Sequence, residues 1–150
     1  MRQFSDDPST DARIRSRLKR EEAYLVERAQ QLEADLFRVL LAESRGADVR
    51  NKERQLRNIL AIAESAGSWP VVELFVRYQA ARDEIPVKWA DRAVRELGGL
   101  EQMARDIVSG GDAGLVERVH LELVKRVLGY TVWWHAWDIK KGVQRQGGQS

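Results

Sequence analysis

The sequence predicts an all-α fold: a single-domain bundle of five or six helices, with a long first and a long last helix. Three observations carry this. Apolar residues recur at spacings of three, four and seven, the period of a helix with one buried face. The three prolines, Pro8, Pro70 and Pro86, each stand where a helix can begin and a missing N–H does no harm. No stretch alternates apolar and polar residues as a half-buried strand would.

Taken in order, residues 1–8 read as a flexible N-terminus, 9–141 as the helical domain and 142–150 as a flexible tail. The first helix keeps its apolar period from Ile14 through Leu18, Leu25, Leu32, Leu36, Val39 and Leu40, with no breaker before Gly46. Asp48 or Asn51 can cap a second helix, "NKERQLRNILAIAESAG", closed by Gly67. Ser68 and Pro70 open a third, "WPVVELFVRYQAARDE". Pro86 starts a fourth, "PVKWADRAVREL", which the pair Gly98-Gly99 is expected to end. A short fifth, "LEQMARDIV", leads to the loop "SGGDAG", where Asp112 can cap the last helix from about Leu115 to Lys141.

Composition narrows the function. At 150 residues one domain can bury its own core. The absence of cysteine excludes disulfides and thiolate metal sites. The polar start lacks the apolar core of a secretory signal, and no apolar run reaches the length of a bilayer span. A cytoplasmic protein with no membrane partner is expected. Lys and Arg number 25 against 23 Asp and Glu, so bulk charge alone does not call for nucleic acid, and the placement of the cations decides.

Three groups repeat at i, i+4 and i+7, the spacing of one helix face. They are Arg13, Arg17 and Arg20; Arg50, Arg54 and Arg57; and Lys88, Arg92 and Arg95, with Arg77 and Arg82 added on the third helix. Aligned cations replace the counterions of a phosphate backbone, and arginine forks grip phosphate oxygens in pairs. Each stripe taken alone also fits a solvated face with intrahelical partners.

Catalytic chemistry is sparse, and neither enzyme activity nor a metal or cofactor is expected. His120 and His135 are about 22 Å apart along one helix and cannot share a metal. His135 and Asp138 can pair at i, i+3, but two ligands fall short of a site. No glycine-rich phosphate loop follows a strand. Neither histidine follows an arginine at the four-to-six-residue spacing common in all-helical ribonucleases.

The stretch "VLGYTVWWHAWDIKK" concentrates aromatics. On a helical wheel Val116, Val119, Leu123, Val127, Tyr130, Trp134 and Trp137 form one stripe, which predicts that these aromatics are core. A second apolar line, Leu121, Val124, Leu128, Val132 and Ile139, lies nearly opposite with His135 beside it. A helix apolar on two faces is buried centrally or shared with another chain, so Leu121, Leu128, Val132, His135 and Ile139 are candidate interface residues. Trp133 sits at the edge of the stripe, in line with Arg126 and Lys140, as a possible stacking residue with basic flanks.

Three segments resemble a known family. "RNKERQLRNILAIAES" is similar to the basic early helix of the small subunit of type III CRISPR effector complexes. "LFVRYQAARDE" resembles its short helix ending in an aromatic, two small residues and Arg. "LVKRVLGYTVWWHAW" is similar to its C-terminal helix. The resemblance covers roughly residues 50 to 138; the charged first helix and the tryptophan-rich end depart from it. It implies a non-catalytic helical subunit, repeated along a guide-RNA complex, that packs on neighbouring subunits and on copies of itself. Such a subunit contacts the backbone of guide and target RNA without reading sequence. Arg54, Arg57, Arg77 and Arg82 fall on the matching segments, with Lys52 a weaker candidate. The competing readings are a helical adaptor that dimerises through its last helix without binding nucleic acid, and a small-ligand sensor with the aromatics as pocket wall.

Overall fold

The last helix is apolar on nearly every side because three others cover it. The structure, a computed structural model, describes residues 3–43, 45, 48 and 52–149, with side chains as far as residue 142. It contains α1 (Pro8–Arg20), α2 (Glu22–Ala42), α3 (Lys52–Ser65), α4 (Trp69–Ala81), α5 (Val87–Val108) and α6 (Ala113–Gln149), and no strand among the described residues. Helix α6 packs chiefly against α2, α5 and α3; α4 lies outside on α3 and α5, and α1 closes the end beside α5.

The bundle is all-α as the periodicity predicts, but two boundaries differ. The expected long first helix is two helices, joined at Glu21, whose N–H is shared between the carbonyls of Arg17 and Leu18. The apolar stripe has a gap there: one turn beyond Leu18 stand Glu21 and Glu22, which cannot extend the core. Conversely, the fourth and fifth helices are one. Gly98 and Gly99 lie inside α5, and Gly98 faces the Trp69 indole, where an added Cβ would stand 3.4 Å from the ring. The glycine provides close approach between α4 and α5 rather than a helix end.

Helix α5 ends at Ser109, a non-glycine residue in the left-handed region (φ 54°). Arg13 of α1 completes this terminus: Nη1 donates to the Ile107 carbonyl at 2.7 Å and Nη2 to Val108 at 2.9 Å. Last-turn carbonyls have no partner within their own helix, and a cation there also meets the negative end of the dipole. Asp112 caps α6 as expected, accepting from the Leu115 N–H at 3.1 Å, whereas Ser68 occupies the N-cap of α4 without a side-chain hydrogen bond.

Both expected flexible ends carry structure. Phe4 is buried, its N–H donates to Asp11 Oδ1 at 2.7 Å, and its carbonyl accepts from Arg118 Nε at 3.2 Å. Helix α6 continues through the expected tail to Gln149. The core runs from Ile14 and Leu18 through Leu36, Leu56 and Ile59 to Leu123, all at most 1% exposed. Trp89 is fully buried in it and donates from Nε1 to the Leu32 carbonyl at 2.9 Å, the polar satisfaction a buried indole needs. Among the described residues no helix is long and apolar enough to cross a membrane.

Candidate nucleic-acid interface

The residues expected to form an interface on α6 are covered by the chain itself. Leu121, Leu128, Val132 and His135 are 8%, 1%, 2% and 1% exposed, and Ile139 is half-buried against the same core. The physical reason is α6's central position: its second apolar face meets other helices of the same bundle, so no partner chain is needed to cover it.

The aromatic stripe divides along its length. Val119, Leu123 and Val127 are buried, Tyr130 and Trp134 are half-buried, and Trp137, expected in the core, is 56% exposed. Helix α6 has 37 residues and its neighbour α5 only 22, so the stripe continues past the helix that covers its first half. Trp134 remains anchored by donating from Nε1 to the Val26 carbonyl at 3.0 Å.

What emerges is a ridge on the outer face of α6. Trp133 is 71% exposed, with Tyr130 edge-on to it at 5.8 Å between centroids. Trp137 stands one turn further, and Lys141 Nζ lies 6.0 Å from its ring centroid. Arg126 and Lys140 extend the same line at either end; Arg126 is held by Glu122 at 2.9 Å, while Lys140 has no ion pair among the described residues. From Arg126 to Lys141 the ridge is about 22 Å long.

Beneath this ridge, on the opposite side of α6, His135 meets Glu33 of α2. Nδ1 lies 3.5 Å from Glu33 Oε1, and no hydrogen bond satisfies either ring nitrogen. Burial pushes the Glu33 carboxyl up to about 7, with a smaller contribution from Asp138 and an opposing one from His135. His135 and Asp138 thus both act on Glu33 of α2 instead of forming a surface hydrogen bond with each other.

The structure separates the predicted basic residues. Lys52 is buried and donates from Nζ to the Glu84 carbonyl at 2.8 Å, which ties α3 to the α4–α5 connection and removes it from any RNA surface. Arg54 and Arg57 are exposed on α3; Arg57 stands 3.7 Å from Glu53, and Arg50 lies outside the described residues. Arg77 is held by Glu73 and by Asp91 of α5 at 3.2 and 3.3 Å. Arg82 lies over the Tyr78 ring at 5.4 Å and 3.9 Å from Glu84.

The α5 stripe is the one that meets further cations. Arg92 and Arg38 of α2 share Asp35 Oδ1, at 3.2 and 2.6 Å. One turn along, Arg28 of α2 pairs with Glu96, and Arg95 with Tyr24 lines a cleft of about 270 Å³ floored by Leu97, Leu100 and Val127. Lys88 is exposed on the same face of α5. Five cations thus line the α2–α5 groove against the carboxylates of Asp35 and Glu96. Sequence periodicity found the α5 half of this groove; Arg28 and Arg38 were missed because only the fold brings α2 beside α5. On α1, Arg13 is committed to the end of α5.

Among the described residues no group of three or more His, Asp or Glu side chains could hold a metal ion. Comparison with protein-family models, curated proteins and solved structures finds no match for this chain.

Proposed function

We propose that this protein is a non-catalytic, RNA-contacting subunit of a CRISPR RNA-guided effector complex, which holds guide and target RNA without reading sequence. The observation that carries the RNA reading is the α6 ridge. Two indoles 71% and 56% exposed stand one helical turn apart with ammonium groups beside them. Large exposed aromatics flanked by cations offer stacking faces to any base, while the cations attract the phosphates between them. The α2–α5 groove and the exposed Arg54 and Arg57 supply further phosphate contacts, which hold a nucleic acid without carrying sequence information.

Assembly with neighbouring subunits is supported by a different face. Val71, Leu74 and Tyr78 recur at i, i+3 and i+7 on α4 and are 49%, 69% and 51% exposed. An apolar line of this kind suits contact with another protein. It takes the place of the α6 face, which is buried within the chain, so dimerisation through α6 is not proposed. The CRISPR assignment itself rests on the three resembling segments.

Binding of a fluorescent single-stranded RNA of arbitrary sequence, followed by anisotropy across a salt series, tests the RNA reading. Weak affinity that falls steeply with salt is expected. Replacing Trp133 and Trp137 together by Ala should weaken binding about tenfold or more with helicity unchanged. No binding at low salt, or an unaltered affinity in the double variant, overturns the ridge as an RNA site. Co-expression with the subunits encoded beside it should yield a particle containing guide RNA, and a chain that remains alone would remove the CRISPR assignment.

A further inference from the structure

A second site lies at the other end of α6. A cleft of about 550 Å³ opens between the start of α4, the end of α5 and the first turns of α6, beside Gly110 and Gly111 of the α5–α6 loop. It shares no residue with the ridge or the α2–α5 groove.

His120 gives the cleft its directionality. The side chain is 3% exposed yet lines the cleft, and Nε2 lies 2.9 Å from the Leu97 carbonyl oxygen. A carbonyl only accepts, so Nε2 carries the proton; burial holds the imidazole below its ordinary pKa, which keeps the ring neutral. Nδ1 is therefore a lone-pair acceptor, and no group among the described residues donates to it.

The other walls are aromatic and charged, with Trp69, two carboxylates, Glu101 and Glu117, and one cation, Arg105. The Trp69 indole is tilted against the His120 ring at 5.4 Å between centroids. Glu101 is engaged by Arg105 at 2.7 Å, whereas Glu117, one turn before His120, makes no ion pair among the described residues. An acceptor fixed in one tautomer, a free carboxylate and an indole call for a flat group that is cationic and carries several N–H donors. A nucleotide does not fit that description: Arg105 is already matched by Glu101, and the remaining charge, that of Glu117, would repel its phosphates. An ammonium lacks the planar face that stacks on an indole.

We propose that this cleft receives the guanidinium of an arginine side chain presented by a partner protein. The guanidinium donates to His120 Nδ1 and to the Glu117 carboxylate and lies against Trp69, and the remaining volume admits the peptide that carries it. The site is independent of RNA binding by the α6 ridge.

The test uses the full chain and the indole N–H signals of its NMR spectrum, with that of Trp69 assigned by its loss in Trp69→Phe. N-acetyl-arginine-N-methylamide should shift the Trp69 signal saturably, and its neutral citrulline counterpart should bind about tenfold more weakly or worse. Glu117→Gln, an exposed change, should weaken arginine binding about fivefold at unchanged thermal midpoint and unchanged RNA affinity. Equal response to arginine and citrulline, or no shift of Trp69, overturns the proposal. Tighter binding of free arginine than of the blocked form overturns the partner-protein assignment, since the site would then suit a small molecule.

Discussion

His135 Nδ1 and Glu33 Oε1 approach to 3.5 Å between α6 and α2, with both residues at most 2% exposed. This contact holds the half of α6 that carries Trp133 and Trp137. Burial raises Glu33 from its ordinary 4.5 to about 7. In the unfolded chain the carboxyl ionises above 4.5; in the native protein it stays protonated until about 7. Between those values the unfolded state binds fewer protons, so the contribution of Glu33 is present at the acid end and is lost as pH rises. Urea unfolding followed between pH 4.5 and 8 should show that decline, about 3 kcal/mol across the window. Glu33→Gln should flatten the difference curve, and a variant with the same slope as the parent would show that Glu33 does not titrate in this way.

Arg13 should matter for stability and not for RNA. Its two bonds to the carbonyls of Ile107 and Val108 are partly buried and charge-assisted. Arg13→Ala is expected to cost roughly 2 kcal/mol in urea unfolding. Arg13→Lys should recover only part of this, because one ammonium does not reproduce the fork that spans two carbonyls. RNA affinity, measured well below the unfolding transition, should be the same in all three proteins.

Two backbone positions carry residues that a more stable chain would exchange. Gly99 lies inside α5 with nothing within 4 Å of an added Cβ, so Gly99→Ala should raise stability by about 0.5–1 kcal/mol. Ser109 adopts φ 54° while glycine stands next to it at Gly110, where no positive φ is required. Ser109→Gly should therefore also stabilise, by roughly 1 kcal/mol. Thermal midpoints of the two variants and their combination check this, and additive gains are expected because the sites are separate.

Helical periodicity is enough for the class of fold and for most of the core, since Ile14, Leu18, Leu36 and Leu123 lie where the pattern places them. It also located the α4 start and the Asp112 cap. The sequence predicts five or six helices and six are present, yet this agreement conceals two compensating differences. Glu21 and Glu22 interrupt a stripe that no glycine or proline interrupts, and Gly98 serves contact with Trp69 rather than a terminus. Neither is visible without knowing what each face meets. The same limit explains α6: a wheel shows that Leu128 and Val132 want cover but not whose side chains provide it. Nor does a wheel show where cover ends, which is why Trp137 was expected inside. Glu33 and His135 are far apart in sequence, and only the pairing of α2 with α6 joins them. Of the basic candidates, spacing alone could not separate exposed Arg54 from Lys52, whose ammonium is held by a carbonyl.

The strap formed by Phe4 has a practical use. Because its carbonyl is gripped by Arg118 near the start of α6, a tether joined ahead of Phe4 leaves the molecule about 22 Å along α6 from Trp133. Immobilised from that side, the protein presents its indoles outward to ligand in solution. Anchored instead through Lys141, whose ammonium lies beside the Trp137 ring, it would crowd them against the support, so the choice of handle decides whether a surface-based measurement can detect binding there at all.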